Sequence, residues 1–283
     1  MKVETFYDKA TNTLTYIVYD PKTKDSILID PVLDYNPGSS KTSTDSVEKA
    51  YLFLKENGLN LNLIMETHAH ADHLSGAQEL KKRFPNAKLA IGEKITQVQN
   101  TFSKVFNFKN FKSDGSQFDL LLKDKEIIEA GTIKIKVIST PGHTPACSSY
   151  LIEDMVFTGD ALFMPDSGTG RCDFPAGDAG TLYNSIMNKL YQLPDSTKVY
   201  TGHDYQPGGR ELKYQSTIGE EKEKNIHLKG NTTKDAYVEF RTSRDKTLDA
   251  PKLLLQSIQV NINAGTFPPH EDNGVNYLKI PIK

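Results

Sequence analysis

Residues 67–73 read Thr-His-Ala-His-Ala-Asp-His, which puts three histidines and an aspartate into six consecutive positions of a chain holding seven histidines in all. Core packing gives no reason to crowd three imidazoles and an acid into one turn, whereas a metal ion does, since each is a ligand type. In an extended turn His68 and His70 project the same way, while Asp72 and His73, read as opening the next helix, address a neighbouring volume. One turn can therefore serve two adjacent metal positions. The apolar run 61–66 before it has strand character and 75–84 after it has helical spacing, which places the cluster at a strand-to-helix turn, the kind of loop that carries function.

Three further ligand types each follow a glycine: Pro141-Gly-His143, Thr158-Gly-Asp160 and Thr201-Gly-His203. The last two also end apolar runs, at 155–158 and 198–201, where glycine permits a tight bend and close approach. Five of the seven histidines and two aspartates thus gather at expected strand-end loops. Imidazole with carboxylate suits zinc, iron or manganese, whereas magnesium and calcium prefer oxygen alone. His227 and His270 stand in polar surroundings and receive no role. Cys147 and Cys172 lie in no C-x-x-C pair and no nucleophile motif, so they read as free thiols, and a serine or cysteine triad is the weaker reading.

Around these loops the pattern is that of a mixed α/β protein. Residues 13–19 alternate, with Leu14, Tyr16 and Val18 on one face, as in a strand buried on one side. Residues 26–30 pair plausibly as the next strand, and 44–57 form a helix with Val47, Ala50, Tyr51 and Leu54 at helical spacing and Gly58 at its end. In the second half, Ile133, Ile135 and Val137 alternate in a strand, followed by strands at 149–152, 155–158 and 198–201 and a helix over 181–191. Hairpin-like pairs and helix-separated strands occur together, so two mixed sheets packed face to face and covered by helices are expected. Residues 96–124 look less regular and carry five phenylalanines among lysines. That interleaving can mark a nucleic-acid platform, but the acidic chain supplies no wider basic field, and core packing, a lid or a subunit contact is the better reading.

The chain has 283 residues, 37% hydrophobic and 25% charged, enough to bury a full core in one large domain or a domain with an appendage. A net charge of −2 and a pI near 6.4 give no general attraction to nucleic acid or to an anionic membrane. No apolar run approaches the roughly 20 residues of a membrane span, and the first residues lack the apolar core of a signal peptide, so a cytoplasmic location is expected. A homodimer is compatible with the sequence, which does not decide it.

The ligand set, with an acid at the end of an early strand at Asp30, resembles the metallo-β-lactamase superfamily over nearly the whole chain. The resemblance implies an αββα sandwich with metal at one edge of the sheets, covering 1–283 with 206–283 as a C-terminal extension packed on it. In two-metal members the positions matching His68, His70 and His143 hold one ion, those matching Asp72, His73 and His203 the other, and Asp160 bridges. The run Gly170-Arg-Cys-Asp-Phe174 resembles the G-R-x-D-F segment of persulfide dioxygenases, as do Pro141-Gly-His-Thr-Pro-Ala-Cys147 and Gly202-His-Asp-Tyr205. Glyoxalase II enzymes share a related G-R-x-F-E run, but here Asp173 precedes Phe174 and proline follows it.

That likeness implies one Fe(II) on His68, His143 and Asp160, with His70, Asp72, His73 and His203 around it as orienting groups or as a second metal site. It implies glutathione persulfide and O2 as substrates. Arg171 is the first candidate for a glutathione carboxylate, Tyr205 a donor toward the substrate, and Arg210 a weaker contact. Cys172 is either a sulfur-accepting thiol beside the iron or a buried small residue, with the second preferred. Asp204 orients a loop, and residues 220–224 form a solvated helix face. Three readings stand side by side: an iron dioxygenase, a zinc or mixed-metal hydroxyacylglutathione hydrolase of the glyoxalase II kind, and a metal- or persulfide-binding sensor, for which no output domain is visible.

Overall fold

Strand Thr13–Tyr19 is buried almost throughout, not on one side only. Leu14, Tyr16 and Val18 enter one apolar cluster and Ile17 enters another. A strand with two buried faces belongs at the centre of a layered molecule, and the computed structural model, which describes residues 1–282, has that arrangement. The first sheet runs, in spatial order, Lys2–Asp8, Thr13–Tyr19, Asp25–Ile29, Asn60–Met65, Lys88–Gly92 and Leu120–Leu122. The second runs Ile127–Ala130, Ile133–Ser139, Ser148–Ile152, Met155–Phe157, Lys198–Tyr200 and Gln215–Thr217. Their facing sides share one core, in which Tyr16, Ile29 and Met65 of the first sheet meet Ile135, Tyr150 and Phe157 of the second.

Helices cover both outer faces. Asp45–Glu56, Ala77–Arg83, Ile95–Val105 and Leu254–Asn261 contribute Val47, Leu80, Phe102 and Ile258 to the cluster on the first sheet. Ala179–Asn188 and Lys234–Asp245 cover the second with Leu182, Ile186 and Tyr237. The fold is the αββα sandwich of the metallo-β-lactamase type.

Strands Asp25–Ile29, Asn60–Met65 and Lys88–Gly92 run parallel to one another. In the second sheet Met155–Phe157 and Lys198–Tyr200 are parallel, and Ile133–Ser139 shares their direction through two antiparallel steps. The C-terminal ends of these strands therefore open onto loops at one edge. Two cross-sheet bonds tie that edge: the Tyr16 hydroxyl donates to the Thr201 carbonyl and the Tyr150 hydroxyl to that of Glu66, each at 2.6 Å.

Several expectations change. Asp72 and His73 do not open a helix, because a short strand, Leu74–Ser75, pairs first with Val32–Asn36 and the helix begins at Ala77. The stretch 96–124 is more regular than its sequence looks, holding most of helix Ile95–Val105 and strand Leu120–Leu122. Its phenylalanines are core: Phe102, Phe106 and Phe118 are buried and Phe108 and Phe111 pack against them. Residues 220–224 are not simply a solvated face either. Glu221 is fully buried, accepts from the Ser216 hydroxyl and the Asn225 amide, and is pushed by burial up to about 8. Among the described residues no helix is long and apolar enough to cross a membrane.

Candidate metal centre

Every ligand-type residue singled out in the sequence comes to the edge where the strand ends converge. Asp30 follows Asp25–Ile29, His68 follows Asn60–Met65, His143 follows Ile133–Ser139, Asp160 follows Met155–Phe157 and His203 follows Lys198–Tyr200. Backbone geometry brings them close. Gly159 adopts φ +51°, and a Cβ there would overlap the Thr67 side chain; one on Gly170 would overlap the Asp160 carbonyl. The glycine that opens the Gly170-Arg171 run is thus required where the 168–173 loop crosses the Asp160 loop.

His68, His143 and Asp160 present ligand atoms within 4.8 Å of one another. Asp160 Oδ2 lies 3.8 Å from His68 Nε2 and 3.6 Å from His143 Nε2. Two ligands each about 2.1 Å from a single ion are at most about 4.2 Å apart, so this spacing fits one. Asp160 Oδ1 faces the other way, 3.3 Å from His203 Nε2, and Asp72 Oδ2 lies 3.5 Å from the same nitrogen. His70, Asp72 and His73 form a second group of ligand atoms equally close together.

The surroundings assign the histidine tautomers. A carbonyl can only accept, so His143 donates Nδ1–H to the Arg171 carbonyl at 2.7 Å and keeps its Nε2 lone pair for the centre. Thr67 gives its hydroxyl hydrogen to Asp30 at 2.8 Å and therefore accepts from His68 Nδ1–H at 3.0 Å, which again frees Nε2. Asp30 also accepts the Thr67 backbone N–H at 2.7 Å and reaches His70 Nε2 at 3.0 Å. Outer groups that fix the ring orientation of metal-binding histidines act in this way.

Electrostatics follow from burial and these partners. Burial, together with neighbouring histidines, holds His68 well below its ordinary value, so its lone pair is available. Burial would lower His70 too, but the carboxylates of Asp30 and Glu66 outweigh it and raise His70 well above the usual range. Asp72 is lowered despite its desolvation, chiefly by His203 and His73. His68 Nε2, His70 Nδ1, His73 Nε2 and Asp160 Oδ1 are buried without a hydrogen-bond partner among the described residues. His203 lies close to Asp160 Oδ1 but outside hydrogen-bond geometry. Leaving one such group unsatisfied costs roughly 1–3 kcal/mol. Four such atoms, shared between two adjacent groups of ligand-type side chains, fit bound cations.

The substrate-side candidates differ among themselves. Arg171 donates from Nε and a terminal nitrogen to both oxygens of Asp173 at 2.6 Å, and from the other terminal nitrogen to the Asp249 carbonyl at 2.7 Å. Of its five N–H groups, two remain free for an incoming carboxylate. Arg210 has none left: Asp166, Asp204 and the Glu211 carbonyl take all five. Its place is a clamp on the loop after His203, not a substrate contact. Asp204, fully buried, anchors that loop through the Lys213 N–H at 2.7 Å and the Gln206 N–H at 3.2 Å. Tyr205 is 53% exposed and stacks on His203 with ring centroids 5.5 Å apart.

Cys172 is buried in the apolar cluster on the second sheet, and burial pushes its thiol far above the reactive range. Cys147 is likewise buried and pushed up to about 12. Both lack the exposure and the electropositive surroundings that mark reactive cysteines. Sequence reading missed Glu66, which accepts from His70 and from the Ser75 hydroxyl, and Asn261, which bonds the histidine turn from helix Leu254–Asn261. No local signal singles out Asn261, since the run 253–262 also carries Gln256 and Gln259.

With this geometry in hand, the comparisons agree. The profile described as the metallo-beta-lactamase superfamily matches residues 9–203. Glyoxylase B2 of Dictyostelium discoideum is 51% identical, covering 99% of this chain and 97% of its own. A probable metallo-hydrolase of Burkholderia pseudomallei (strain 1710b) is 47% identical, with coverage of 100% and 99%. The mitochondrial persulfide dioxygenase ETHE1 of Bos taurus is 30% identical, with coverage of 93% and 88%. Among solved structures, ETHE1 from Myxococcus xanthus superposes with a TM-score of 0.76 at 29% identity, covering 94% of this chain and 100% of that one. The chain belongs to the metallo-beta-lactamase superfamily and counts persulfide dioxygenases among its relatives.

Proposed function

We propose that the protein is a sulfur dioxygenase using one iron(II) on His68, His143 and Asp160, with the balanced reaction RSSH + O2 + H2O giving RSH, sulfite and two protons, RSH being glutathione. The observation that carries this reading is the grouping of two imidazoles and one carboxylate in a chain of which 94% matches the whole of a solved ETHE1. Iron(II), when bound by such a set, supplies open coordination positions and the redox chemistry that lets dioxygen meet a sulfur.

The chain's own residues hold that set. The Arg171 carbonyl and the Asp30–Thr67 pair keep the His143 and His68 rings from turning away. A groove lined by Ala69, Ala71, Val98, Phe102, Phe174 and Ile258 opens against His143. These apolar side chains close around His143 and keep bulk water from that side of the centre. Glutathione carries two carboxylates, for which Arg171 keeps unengaged donors, and Tyr205 stands exposed beside His203 to donate toward the substrate.

Arg171→Ala removes the guanidinium but leaves the carbonyl that holds His143. A charge-assisted contact is worth about 1.5–3 kcal/mol, so kcat/KM for glutathione persulfide is expected to fall roughly tenfold to a hundredfold while metal content stays at the wild-type level. A variant that loses metal instead would assign Arg171 to loop structure alone.

One observation favours a second reading. The two oxygens of Asp160 face histidines on opposite sides, as a bridging carboxylate would, and two relatives above 45% identity are named a glyoxylase and a metallo-hydrolase. A hydroxyacylglutathione hydrolase would use His70, Asp72, His73 and His203 for a second ion, with zinc acting as Lewis acid and no use for oxygen. Oxygen separates the two. Iron-loaded protein given glutathione persulfide is expected to take up dioxygen and release sulfite in equal amounts, with glutathione itself inert. Oxygen-independent cleavage of S-lactoylglutathione, with no uptake on persulfide, would replace the dioxygenase by the hydrolase.

A further inference from the structure

The superfamily match ends at residue 203, yet buried polar groups well beyond it grip the backbone of the histidine turn and of the 169–172 segment beside His143. Asn261, 4% exposed, donates from Nδ2 to the carbonyls of His70 and His73, both at 2.8 Å, and accepts the Ser75 N–H at 2.8 Å. Both of its amide hydrogens and its oxygen are spent on the one turn that carries His68, His70, Asp72 and His73. On helix Lys234–Asp245, Arg241 and Asp245 are also buried, and they pair at 2.6 Å. Asp245 takes the Cys172 N–H at 2.8 Å and Arg241 donates to the Thr169 carbonyl at 3.1 Å. These contacts fix the backbone on either side of Arg171, whose carbonyl orients His143.

Docking a helix onto a sheet needs only apolar side chains, and Ile258 and Ile262 beside Asn261 already provide them. An amide, a carboxylate and a guanidinium buried at such positions lose their hydration, which the bonds to the loops and, for the two charged groups, their mutual pairing offset. The ligand turn itself has little regular structure between strands Asn60–Met65 and Leu74–Ser75. Its shape therefore depends on what holds its carbonyls.

We propose that the segment following the superfamily match is a working part of the metal centre, with Asn261 and the Arg241–Asp245 pair as positioning residues: the first holds the histidine turn, and the second holds the 169–172 segment whose Arg171 carbonyl orients His143. The proposal rests on the metal centre and not on which reaction it runs. It also makes the two anchors separable: Asn261 acts on the histidine turn, and Asp245 acts on His143.

The test is competition titration of the full chain with Zn(II) and Co(II) against a chromophoric chelator, with the Co(II) visible spectrum as the readout of ligand geometry. Asn261→Ala, Asn261→Asp and Asp245→Asn are each expected to lower affinity roughly tenfold to a hundredfold and to alter the cobalt spectrum, at temperatures where circular dichroism shows folded protein. Asn261→Asp keeps the Ser75 contact and the side-chain shape while removing both donors, so it decides the matter if the alanine variant fails to fold. Leu54→Ala, a core truncation on helix Asp45–Glu56, is expected to lose stability but to keep wild-type affinity and spectrum. Wild-type affinity and spectrum in folded Asn261→Asp and Asp245→Asn, or an equal loss in Leu54→Ala, would overturn the proposal. Absence of dioxygenase activity in a wild-type protein that binds metal normally would count against the reaction alone.

Discussion

Asp160→Ala is expected to yield a folded protein that retains no tightly bound metal and has lost activity by at least roughly a thousandfold. Asp160 is the one carboxylate in the group with His68 and His143, and its two oxygens address both sides of the centre. Without it, two imidazoles remain in the group, and two ligands hold an ion weakly. Stability should respond differently from activity. In metal-free protein Asp160 contributes a buried oxygen without a partner, so its removal is expected to leave the melting temperature nearly unchanged. What disappears is the rise in melting temperature when metal is added, since only an ion bound by the folded state stabilises it. Elemental analysis and paired melting curves with and without metal check this. Retention of stoichiometric metal and full activity in the variant would refute the ligand assignment.

Arg210→Ala is expected to be the most destabilising single change at the surface of the site, by about 3–5 kcal/mol. Its guanidinium joins Asp166, near the surface, to Asp204, which is fully buried, and satisfies both with well-placed donors. Removing it leaves the Asp204 carboxylate in the interior with two backbone N–H groups as its remaining partners, so the lower end of that range is the better figure. Arg210→Lys should recover only part, because an ammonium cannot reproduce a five-donor fork. Chemical denaturation of the two variants beside the wild type measures this. A loss under about 1 kcal/mol would mean that solvent screens the cluster, as it does ordinary surface pairs.

These two residues also mark the limit of sequence reading. Asp160 was legible because ligand chemistry restricts residue type: few side chains bind a metal, and a glycine-ligand step occurs three times, twice at the end of an apolar run. The layered α/β architecture was legible for a similar reason, since period-2 and period-3.6 apolar patterns are local. Where local pattern failed, tertiary context had overridden it. The alternation of Thr13–Tyr19 implied one buried face, but a strand at the centre of an αββα sandwich buries both. The phenylalanine-rich stretch looked irregular because its helix and strand are short and completed by the core.

Arg171 and Arg210 look alike in sequence, two arginines in polar loops near ligand residues. What separates them is the number of donors left after folding, and that depends on Asp249 and Asp166 arriving from other parts of the chain and on how the loop turns Asp204 back toward Arg210. Asn261 is the extreme case. It meets His73 across 188 positions and Ser75 across 186, and nothing local to either end announces the bond. The sequence by itself determined which side chains could bind a metal and the strand ends that would carry them, because both follow from residue chemistry and short-range period. Only the tertiary structure decided which nitrogen each histidine presents, which arginine keeps free donors, and which distant amide holds the ligand turn. Those depend on hydrogen-bond partners brought together by the packing of two sheets, and a hydrogen bond specifies geometry only once both of its ends are in place.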